Sequence, residues 1–458
     1  MNKQLSAERD PVGVVHVNGD LVIREIHKEF KDYFQDILKQ AVVQKMLGHQ
    51  LIDARVVKSN SQGLTLEHPL IAPASYAYEW PLPMLQDAAL LTLEISQALS
   101  EIDTVLKDAT PWNILFRGAR PQWVDFTSLM PQDSDLPWVA YDQYCLTFLY
   151  PLLVGYFHSG KVMRALLLAS QNGISHEEIT HYLPGSAKFK FGWLNNRLYL
   201  PKFVVDLARK AGSEKDLVKR SQQAVISSAA RRAFFEGLRK DTLSIRVNPD
   251  QDEWSNYNTK IGSFFKPEQF DQKQQKVAEL INKCKPTSVV DIGCQQGGYA
   301  ILAARHGARV TAFDTDETSI SLLYRMAKEK DLNILPLVGD VIFPTPASGW
   351  RAQEFLPANQ RLRAQMALAL ELVHQMAITH IQTFDRIVLT LADYAEKWLV
   401  TEFIPLEDAR CQDMLLTIRR DISWYTLDNF LAALRKEFAS VTTFPSSPAG
   451  CTLCFCTR

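Results

Sequence analysis

The stretch that decides the fold is Ser288-Val-Val-Asp-Ile-Gly-Cys-Gln-Gln-Gly-Gly-Tyr-Ala300. An apolar run ends in Asp291, a glycine-rich turn follows, and a helix-like segment begins near Ala300. Glycines let the backbone approach a ligand closely, and the first N–H groups of a helix point toward that ligand. The pattern therefore predicts the first strand, loop and helix of a Rossmann-type sheet, with a cofactor site at the loop.

Two further strand patterns narrow the choice of cofactor. Residues 310–316 contain Asp314, which follows the first loop by roughly 20 residues. An acid at this position of a Rossmann-type sheet is placed to accept both ribose hydroxyls. Residues 334–340 form a third strand pattern that also ends in an acid, Asp340. Three successive strands ending in Asp, with a glycine turn after the first, resemble the S-adenosylmethionine (SAM) site of class I methyltransferases.

This resemblance implies a set of cofactor-binding residues, in which Asp340 accepts the adenine amino group. The set is Asp291, Gly293, Gln295, Gly297, Asp314, Asp340 and Val341. A nicotinamide dehydrogenase is the main rival, but its G-x-G-x-x-G loop is spaced for a pyrophosphate, and Gln295 stands here in place of the middle glycine. A doubly wound sheet without any ligand is the other alternative. We interpret the loop as a SAM site.

Length and composition predict a multidomain globular protein. With 458 residues, 47% of them hydrophobic and 22% charged, the chain has material for two or three domains. The net charge of −1 gives no strong signal for nucleic acid, and no apolar run is long enough to span a membrane. We expect a cytoplasmic protein. Cys451, Cys454 and Cys456 lack a nearby fourth ligand for a structural zinc, so we predict a closing strand there and no metal site.

The order of patterns predicts three segments. Residues 1–205, which include a hairpin at Asn18-Gly19, are expected to form a kinase-like domain that resembles aminoglycoside phosphotransferases. Residues 206–252 are expected to form a helical connector, and residues 253–458 the methyltransferase domain. Residues 250–265, rich in polar and aromatic residues, are interpreted as a connector that leads into a helix from about Glu268 to Cys284. The predicted fold class is α/β, with a C-terminal Rossmann-like class I methyltransferase sheet preceded by a kinase-like α+β domain.

The kinase-like interpretation rests on the loop at residues 106–126. Asp108 and Asn113 have D-x-x-x-x-N spacing, and Asp125 follows in a short apolar strand, which is the set that phosphotransferases use for a proton-accepting Asp and two magnesium ligands. The loop resembles that of aminoglycoside- and choline-kinase-like proteins. Leu106-Lys107 replaces the usual His-Arg or His-Gly, and no glycine-rich phosphate loop precedes it, so we predict degenerate phosphotransfer. Turn capping by Asp108 and Asn113 is the alternative.

Together these features resemble one bacterial family, which joins a kinase-like N-terminal domain to a class I methyltransferase and includes nodulation-protein-like methyltransferases. The motifs that carry the resemblance are Ser75-Tyr-Ala-Tyr-Glu-Trp-Pro81, the loops at 106–113 and 123–128, Trp254-Ser-Asn-Tyr257, the SAM loop, Pro344-Thr-Pro-Ala-Ser-Gly-Trp350 and Thr401-Glu-Phe-Ile-Pro405. This chain departs from the family at Gln295, where Asn is usual, and at His374-Gln375, where the family tends to have His-His. Asn tolerates a positive φ better than Gln, so the loop is expected to be strained.

Candidate catalytic residues follow the expected fourth strand, residues 364–370. Its carboxyl end faces the methyl group by the crevice rule for open α/β sheets, which places Glu371 and His374 there. His374 is a candidate base because imidazole titrates near neutral pH, and packing on the following helix is the alternative. Trp350 and Arg351 are candidates for walling or anchoring the acceptor.

These observations predict a SAM-dependent methyltransferase that acts on an oxygen or nitrogen of a small-molecule or carrier-bound acceptor. The kinase-like domain is expected to recognise that acceptor or a protein partner. Two alternatives stay open: a bifunctional phosphotransferase and methyltransferase, and a catalytically silent SAM-binding adaptor.

Overall fold

The computed structural model describes residues 10–132, 138–199, 228–247, 251–416 and 421–458. The chain divides into two compact units. The first comprises Met1–Phe116 and Pro121–Asn248, and the second comprises Arg117–Arg120 and Pro249–Arg458.

The N-terminal unit begins with a four-stranded antiparallel sheet of order β1-β2-β4-β3. The predicted hairpin is confirmed, since Asn18 pairs with Leu21 across a turn in which Gly19 has φ 61°. Two short pairs follow, β5 with β8 and β6 with β7. The strands are β1 Gly13–Asn18, β2 Leu21–His27, β3 Arg55–Asn60, β4 Gly63–Pro69, β5 Thr104–Leu106, β6 Ile114–Arg117, β7 Arg120–Trp123 and β8 Leu129–Pro131.

Helices make up most of the remaining described part of this unit. They are α1 Lys31–Lys39, α2 Ala41–Met46, α3 Leu82–Leu99, α4 Tyr141–Tyr144, α5 Tyr150–Phe157, α6 Gly160–Ala169, α7 Ile179–Tyr182, α8 Ala187–Lys190 and α9 Ser228–Ser244. The long helix α3 is buried along most of its length, which explains why its sequence is apolar nearly all round.

Helix α9 lies in the segment predicted to be a connector, but it packs against α3 within the N-terminal unit. The buried side-chain amide of Gln86 donates to the backbone carbonyls of Thr242 and Ile245, at 3.0 and 2.6 Å. The hydroxyl groups of Tyr144 and Thr242 form a hydrogen bond of 2.8 Å. The rest of the predicted connector, up to residue 227, lies outside the described residues. Thus α9 is part of a folded core.

A seven-stranded sheet of order β11-β10-β9-β12-β13-β15-β14 forms the second unit. Six of the seven strands run in the same direction and β15 runs opposite to them, so the predicted mostly parallel sheet is confirmed. The strands are β9 Ser288–Ile292, β10 Arg309–Asp314, β11 Ile334–Val338, β12 Ala364–Ala369, β13 Ala395–Phe403, β14 Ser440–Pro445 and β15 Thr452–Thr457. The strand predicted at the C-terminal cysteines is β15.

Helices flank this sheet in the order expected of alternating strand and helix patterns. They are α10 Gln251–Ile261, α11 Gln272–Cys284, α12 Gly298–Arg305, α13 Glu317–Glu329, α14 Ala358–Arg361, α15 Phe384–Tyr394, α16 Ala409–Leu415 and α17 Leu427–Glu437. The prediction of a connector at residues 250–265 is wrong, because α10 and a 3₁₀ turn, Gly262–Phe265, occupy it. Burial of Trp254, Tyr257 and Ile261 explains the error, since these aromatic and apolar residues are one face of a helix.

In the described parts of both units, no helix combines the length and the apolar character needed to cross a membrane.

Candidate cofactor and acceptor site

A cavity of about 490 Å³ opens at the carboxyl ends of β9 and β12. These are adjacent parallel strands, so their following loops meet at one edge of the sheet, where open α/β sheets hold their ligands. The cavity is lined by Lys260, Ile261, Phe264, Asp271, Lys273, Gln274, Asp291, Gly293, Cys294, Gln295, Gln296, Gly298, Tyr299, Leu370, Glu371, Ser447 and Pro448. Of the predicted site residues, Asp291, Gly293, Gln295 and Glu371 therefore share one cavity.

The glycine loop takes left-handed backbone conformations that explain its composition. Gly293 and Gly297 have φ values of 67° and 77°, and Gln295 between them has φ 47°, so the expected strain at this departure from the family is confirmed. A side chain at Gly298, the first residue of α12, would place its Cβ 2.3 Å from the Phe264 ring. The loop thus needs glycine to stay close to the cavity wall.

Two hydrogen bonds hold this loop in place from neighbouring elements. The backbone N–H of Gln295 donates to Asp314 Oδ2 at 2.8 Å, and the Tyr257 hydroxyl of α10 donates to the backbone carbonyl of Gln296 at 2.8 Å. Asp314 Oδ1 accepts a bond from the Asp316 amide at 2.9 Å. Each carboxylate oxygen has a second lone pair, so Asp314 keeps the capacity to accept ribose hydroxyls.

Asp291 is the buried acid of the site, with 3% of its surface exposed. Burial raises its pKa to about 7, against a smaller lowering from the Ala300 amide. Its Oδ2 has no hydrogen-bond partner among the described residues, although it belongs to a residue of the cavity wall. A buried carboxyl without a donor at one oxygen is suited to a ligand that brings a donor or a positive charge.

The third acid caps its own turn and does not line the cavity. Asp340 Oδ1 accepts from the Ile342 amide at 2.8 Å, and Val341 is buried beside it. Gly297, Asp314, Asp340 and Val341 are all absent from the cavity wall, although Asp314 and Asp340 end the two strands next in line after β9.

Glu371 is held by two cations at the end of β12. Lys273 of α11 lies 2.5 Å from its Oε1, and Arg410 of α16 lies 3.3 Å from its Oε2. Burial alone would raise the pKa of Glu371, but these two cations outweigh it and keep the pKa below its ordinary value. Glu371 also has a positive φ of 54°, a strained conformation of the kind that collects at functional sites.

The described cavity wall does not include His374. His374 is 2% exposed, and burial together with the charge of Arg410 lowers the pKa of its imidazole to about 4. The imidazole is therefore neutral at physiological pH. Its Nδ1 has no hydrogen-bond partner among the described residues. This arrangement favours the alternative that His374 is a packed side chain over the prediction that it is a base in contact with the acceptor.

Trp350 and Arg351 are exposed on the long segment that follows β11. Trp350 is 69% exposed, Arg351 has φ 54°, and neither lines the described cavity. The residues predicted to wall the acceptor are thus not at the cavity, and Phe264 and Tyr299, whose rings pack edge to face with 5.2 Å between centroids, line it instead.

The acids predicted for phosphotransfer lie in the N-terminal unit and are already paired with protein groups. Asp125 Oδ1 accepts from Arg24 at 3.2 Å and from Thr127 at 2.7 Å, and Gln143 donates to Asp108 Oδ1 at 3.3 Å. Burial raises the pKa of Asp108, and the nearby charge of Asp125 adds to this effect. Asn113 ends a 3₁₀ turn, and its carbonyl accepts from the Val124 amide.

Sequence reasoning missed Lys273 and Arg410, which hold Glu371. Lys273 occupies an inward position of α11, four residues before the buried Val277 and followed by Leu280 and Ile281 on the same face. A lysine in the apolar stripe of an amphipathic helix is unusual, so this signal was present in the sequence. Arg410 offered no such signal, since only the tertiary structure brings α16 to Glu371.

Strand order, the glycine loop and the three strand-end acids together define the C-terminal unit as a Rossmann-like class I methyltransferase fold. The family model described as tellurite resistance protein TehB matches residues 258–341, which contain Asp291, Asp314 and Asp340. Nodulation protein NoeA of Rhizobium meliloti (strain 1021) is 26% identical over 459 residues, or 94% of this chain and 90% of that protein. The predicted resemblance to nodulation-protein-like methyltransferases is confirmed.

Solved structures show similarity over part of the chain. The co-crystal structure of WbdD and kinase inhibitor LY294002 is 17% identical with a TM-score of 0.30, covering 40% of this chain and 40% of that one, so less than half of WbdD is spanned. Magnesium protoporphyrin IX methyltransferase (ChlM) from Synechocystis PCC 6803, solved with bound SAH, is 14% identical with a TM-score of 0.30, covering 45% of this chain and 93% of that one.

Proposed function

We propose that this protein is a SAM-dependent methyltransferase that acts on an oxygen or nitrogen of a small-molecule or carrier-bound acceptor. The observation that carries the proposal is the shared cavity, in which the glycine loop after β9 and Glu371 after β12 face one space. Glu371 belongs to the cavity wall, so the proposal gives it the contact with the acceptor. His374 is assigned no contact with the reacting groups.

The residues fit this cofactor. Asp291 offers an unpaired buried oxygen for the ammonium of the methionine part, and Asp314 retains lone pairs for ribose hydroxyls. Gly293, Gln295 and Gly297 keep the loop backbone close, and Asp340 with Val341 is assigned to the adenine. When bound, the cofactor supplies a sulfonium methyl group that an acceptor atom attacks in line. The protein's share is orientation and exclusion of water.

The N-terminal unit is proposed to be kinase-like in fold and to serve acceptor or partner recognition. The Arg24 guanidinium donates a hydrogen bond directly to Asp125 Oδ1. It also contacts Asp125 indirectly, because its Nη1 donates to Thr127 Oγ1 at 2.7 Å and the Thr127 hydroxyl donates to Asp125. A guanidinium beside the acid that would ligand magnesium supports recognition over phosphotransfer, because it repels the metal.

Calorimetric titration of the full chain with SAM, S-adenosylhomocysteine (SAH) and Mg-ATP tests these proposals. We expect micromolar binding of the first two and none of Mg-ATP. Asp314→Ala should weaken SAH at least about tenfold, because hydrogen bonds to a charged acceptor contribute roughly 1.5–3 kcal/mol. Asp385→Ala, an exposed acid of α15 that pairs with Lys436, is the control and should leave SAH binding unchanged.

Other outcomes separate the alternatives. Mg-ATP binding that is lost in Asp125→Ala would favour the bifunctional enzyme. Binding of SAH with no methyl transfer to any acceptor in extracts, followed with labelled SAM, would favour the silent adaptor. Absence of binding by both SAM and SAH would overturn the proposed function.

A further inference from the structure

Five charged side chains form a continuous network of ion pairs that begins at the cavity wall. Their order alternates in sign: Glu402, Lys273, Glu371, Arg410 and Asp408. Glu402 and Lys273 are 3.2 Å apart, and Arg410 bonds both oxygens of Asp408 at 2.8 and 2.9 Å. Burial raises the pKa of Glu402, against the lowering effects of Lys273 and Ser446. With Glu402 ionised, the five charges sum to minus one.

The inner end of this network is fully buried. Glu402 in β13 has a side-chain exposure of 0%, and Ser446 donates to its Oε1 at 2.5 Å. Burial opposes a charge on Lys273, but Glu402 and Glu371 outweigh it and raise its pKa. A buried ion pair is costly unless it is well bonded, and here the lysine has two carboxylate partners. Its ammonium therefore stays charged beside Glu371.

The outer end fixes the second oxygen of Glu371. Asp408 caps the start of α16 and grips Arg410 with both oxygens, which fixes the guanidinium as a rigid fork. The Arg410 side chain is 30% exposed and that of Glu371 33%, so this end of the network is less buried than the end at Glu402. Of the five groups, Lys273 and Glu371 line the cavity.

We propose that Lys273 and Arg410 are positioning residues that hold Glu371 ionised and aimed at the transferred methyl, so that the acceptor presents an N–H or O–H donor to this carboxylate. This inference rests on the proposed function and adds the chemistry of the acceptor. A carboxylate held by two cations is a poor proton acceptor but a good hydrogen-bond acceptor. Glu371 therefore orients the nucleophile through its N–H or O–H, and the proton that the methylated atom releases passes to solvent and not to Glu371. An anionic acceptor atom is disfavoured.

The SAM analogue sinefungin tests this inference without knowledge of the acceptor. Its primary ammonium stands where SAM carries the transferable methyl, whereas SAH has no group there. The ammonium mimics a donor placed at Glu371, so wild-type protein should bind sinefungin at least about tenfold tighter than SAH. In Glu371→Gln this preference should fall to about twofold or less, while SAH affinity stays within about twofold of wild type. Glu279→Gln, an exposed acid of α11, is the matched control.

The positioning role is tested with the double variant Lys273→Met/Glu402→Gln. Removing both members of the buried pair avoids leaving an unpaired Glu402 charge. Burial then raises the pKa of Glu371 with only Arg410 to oppose it. The sinefungin preference should therefore decline between about pH 7 and about pH 5 in the double variant and stay constant in wild type.

Other groups near Glu371 do not produce this difference. The pKa of His374, about 4, and of Asp408, about 2, lie below the window, and Arg410 stays charged throughout. Asp291 titrates within it, but its carboxyl affects SAH and sinefungin alike, so the ratio of affinities cancels its effect.

Equal affinity for sinefungin and SAH in wild type, or an unchanged preference in Glu371→Gln, would overturn the inference while leaving the proposed function intact. A preference in the double variant that does not change with pH would overturn the positioning role of Lys273. If the wild-type protein bound neither SAH nor sinefungin, the proposed function itself would be refuted.

Discussion

Gln295 occupies a left-handed backbone position in a loop whose other left-handed residues are glycines. Its φ of 47° places the side chain where Cβ crowds the following carbonyl, a cost that Asn bears more easily. The backbone N–H of Gln295 nevertheless donates a hydrogen bond to Asp314, which holds the loop in this conformation. The loop therefore keeps its shape at a local cost in stability, as functional loops often do.

We expect Gln295→Asn to raise the free energy of unfolding of the C-terminal unit by roughly 0.5–1 kcal/mol, because it relieves this strain. Denaturant titration followed by the transition that SAH stabilises measures the change. Gln296→Asn is the control, since Gln296 is not among the described residues with positive φ. A gain of equal size in both variants would mean that backbone strain is not the cause.

Asp291 couples stability to pH at the same site. The unfolded chain releases this proton near the ordinary pKa of 3.8, whereas the folded chain keeps it until about pH 7. Between these values the unfolded state binds fewer protons, so the free energy of unfolding falls as pH rises through the window. The fall is about 4 kcal/mol at most, since one pKa unit corresponds to about 1.4 kcal/mol.

Asp291→Asn should remove this pH dependence and stabilise the ligand-free protein near neutral pH, while it weakens SAH at least about tenfold by removing the carboxylate that meets a ligand ammonium. Thermal unfolding at a series of pH values and SAH titration measure both effects. An unchanged slope of stability against pH in the variant would exclude Asp291 as the titrating group.

Helices α10 and α11 bring separate parts of the chain to the cofactor loop. Tyr257 of α10 is buried and donates to the Gln296 carbonyl, while α11 carries Lys273 to Glu371. A capping box at Asp271 and Gln274 fixes the start of α11 at the cavity edge. These helices precede β9 in the chain, so residues outside the glycine motif shape the site.

Tyr257→Phe tests the contribution of α10 to the loop. The substitution leaves the Gln296 carbonyl without its donor, so we expect SAH affinity to fall about three- to tenfold, with a loss of roughly 1 kcal/mol in stability. Calorimetric titration gives the affinity. Tyr394→Phe, a buried tyrosine of α15 in the same unit, controls for loss of a tyrosine hydroxyl elsewhere in the fold and should leave SAH affinity unchanged.

At the scale of the whole molecule, the two compact units each have a core of their own. Proteins with separate cores often unfold in more than one step, and a ligand stabilises only the part that binds it. The cofactor cavity is lined wholly by residues of the second unit.

Scanning calorimetry of the full chain is therefore expected to show two transitions, of which SAH shifts one. At a concentration of about 100 times its dissociation constant, SAH should stabilise that transition by about 2.7 kcal/mol. Mg-ATP at the same concentration should shift neither. Equal shifts of both transitions by SAH would show that the units unfold as one.

The sequence by itself determined the elements whose signals are local. The sheet, its loop and the class of cofactor were predicted from the apolar run before Asp291, the glycine turn and the acids Asp314 and Asp340. This was possible because the alternation of a strand and a positive φ each restrict which residue types can occupy a position. The same local rules predicted the strain at Gln295 and the strand at the C-terminal cysteines. They failed for α10, whose aromatic face was taken for a connector.

Only the tertiary structure decided how the acceptor side is built. The sequence marks Lys273 as an inward lysine of α11, but it does not indicate that Lys273, Arg410 and Glu402 share one ion network, since α11, α16 and β13 meet only in the folded unit. His374, the candidate base, is buried away from the described cavity wall, and Trp350, the candidate for walling the acceptor, is exposed and also absent from that wall. Electrostatic energies depend on distance and burial, which sequence spacing does not fix across separate elements.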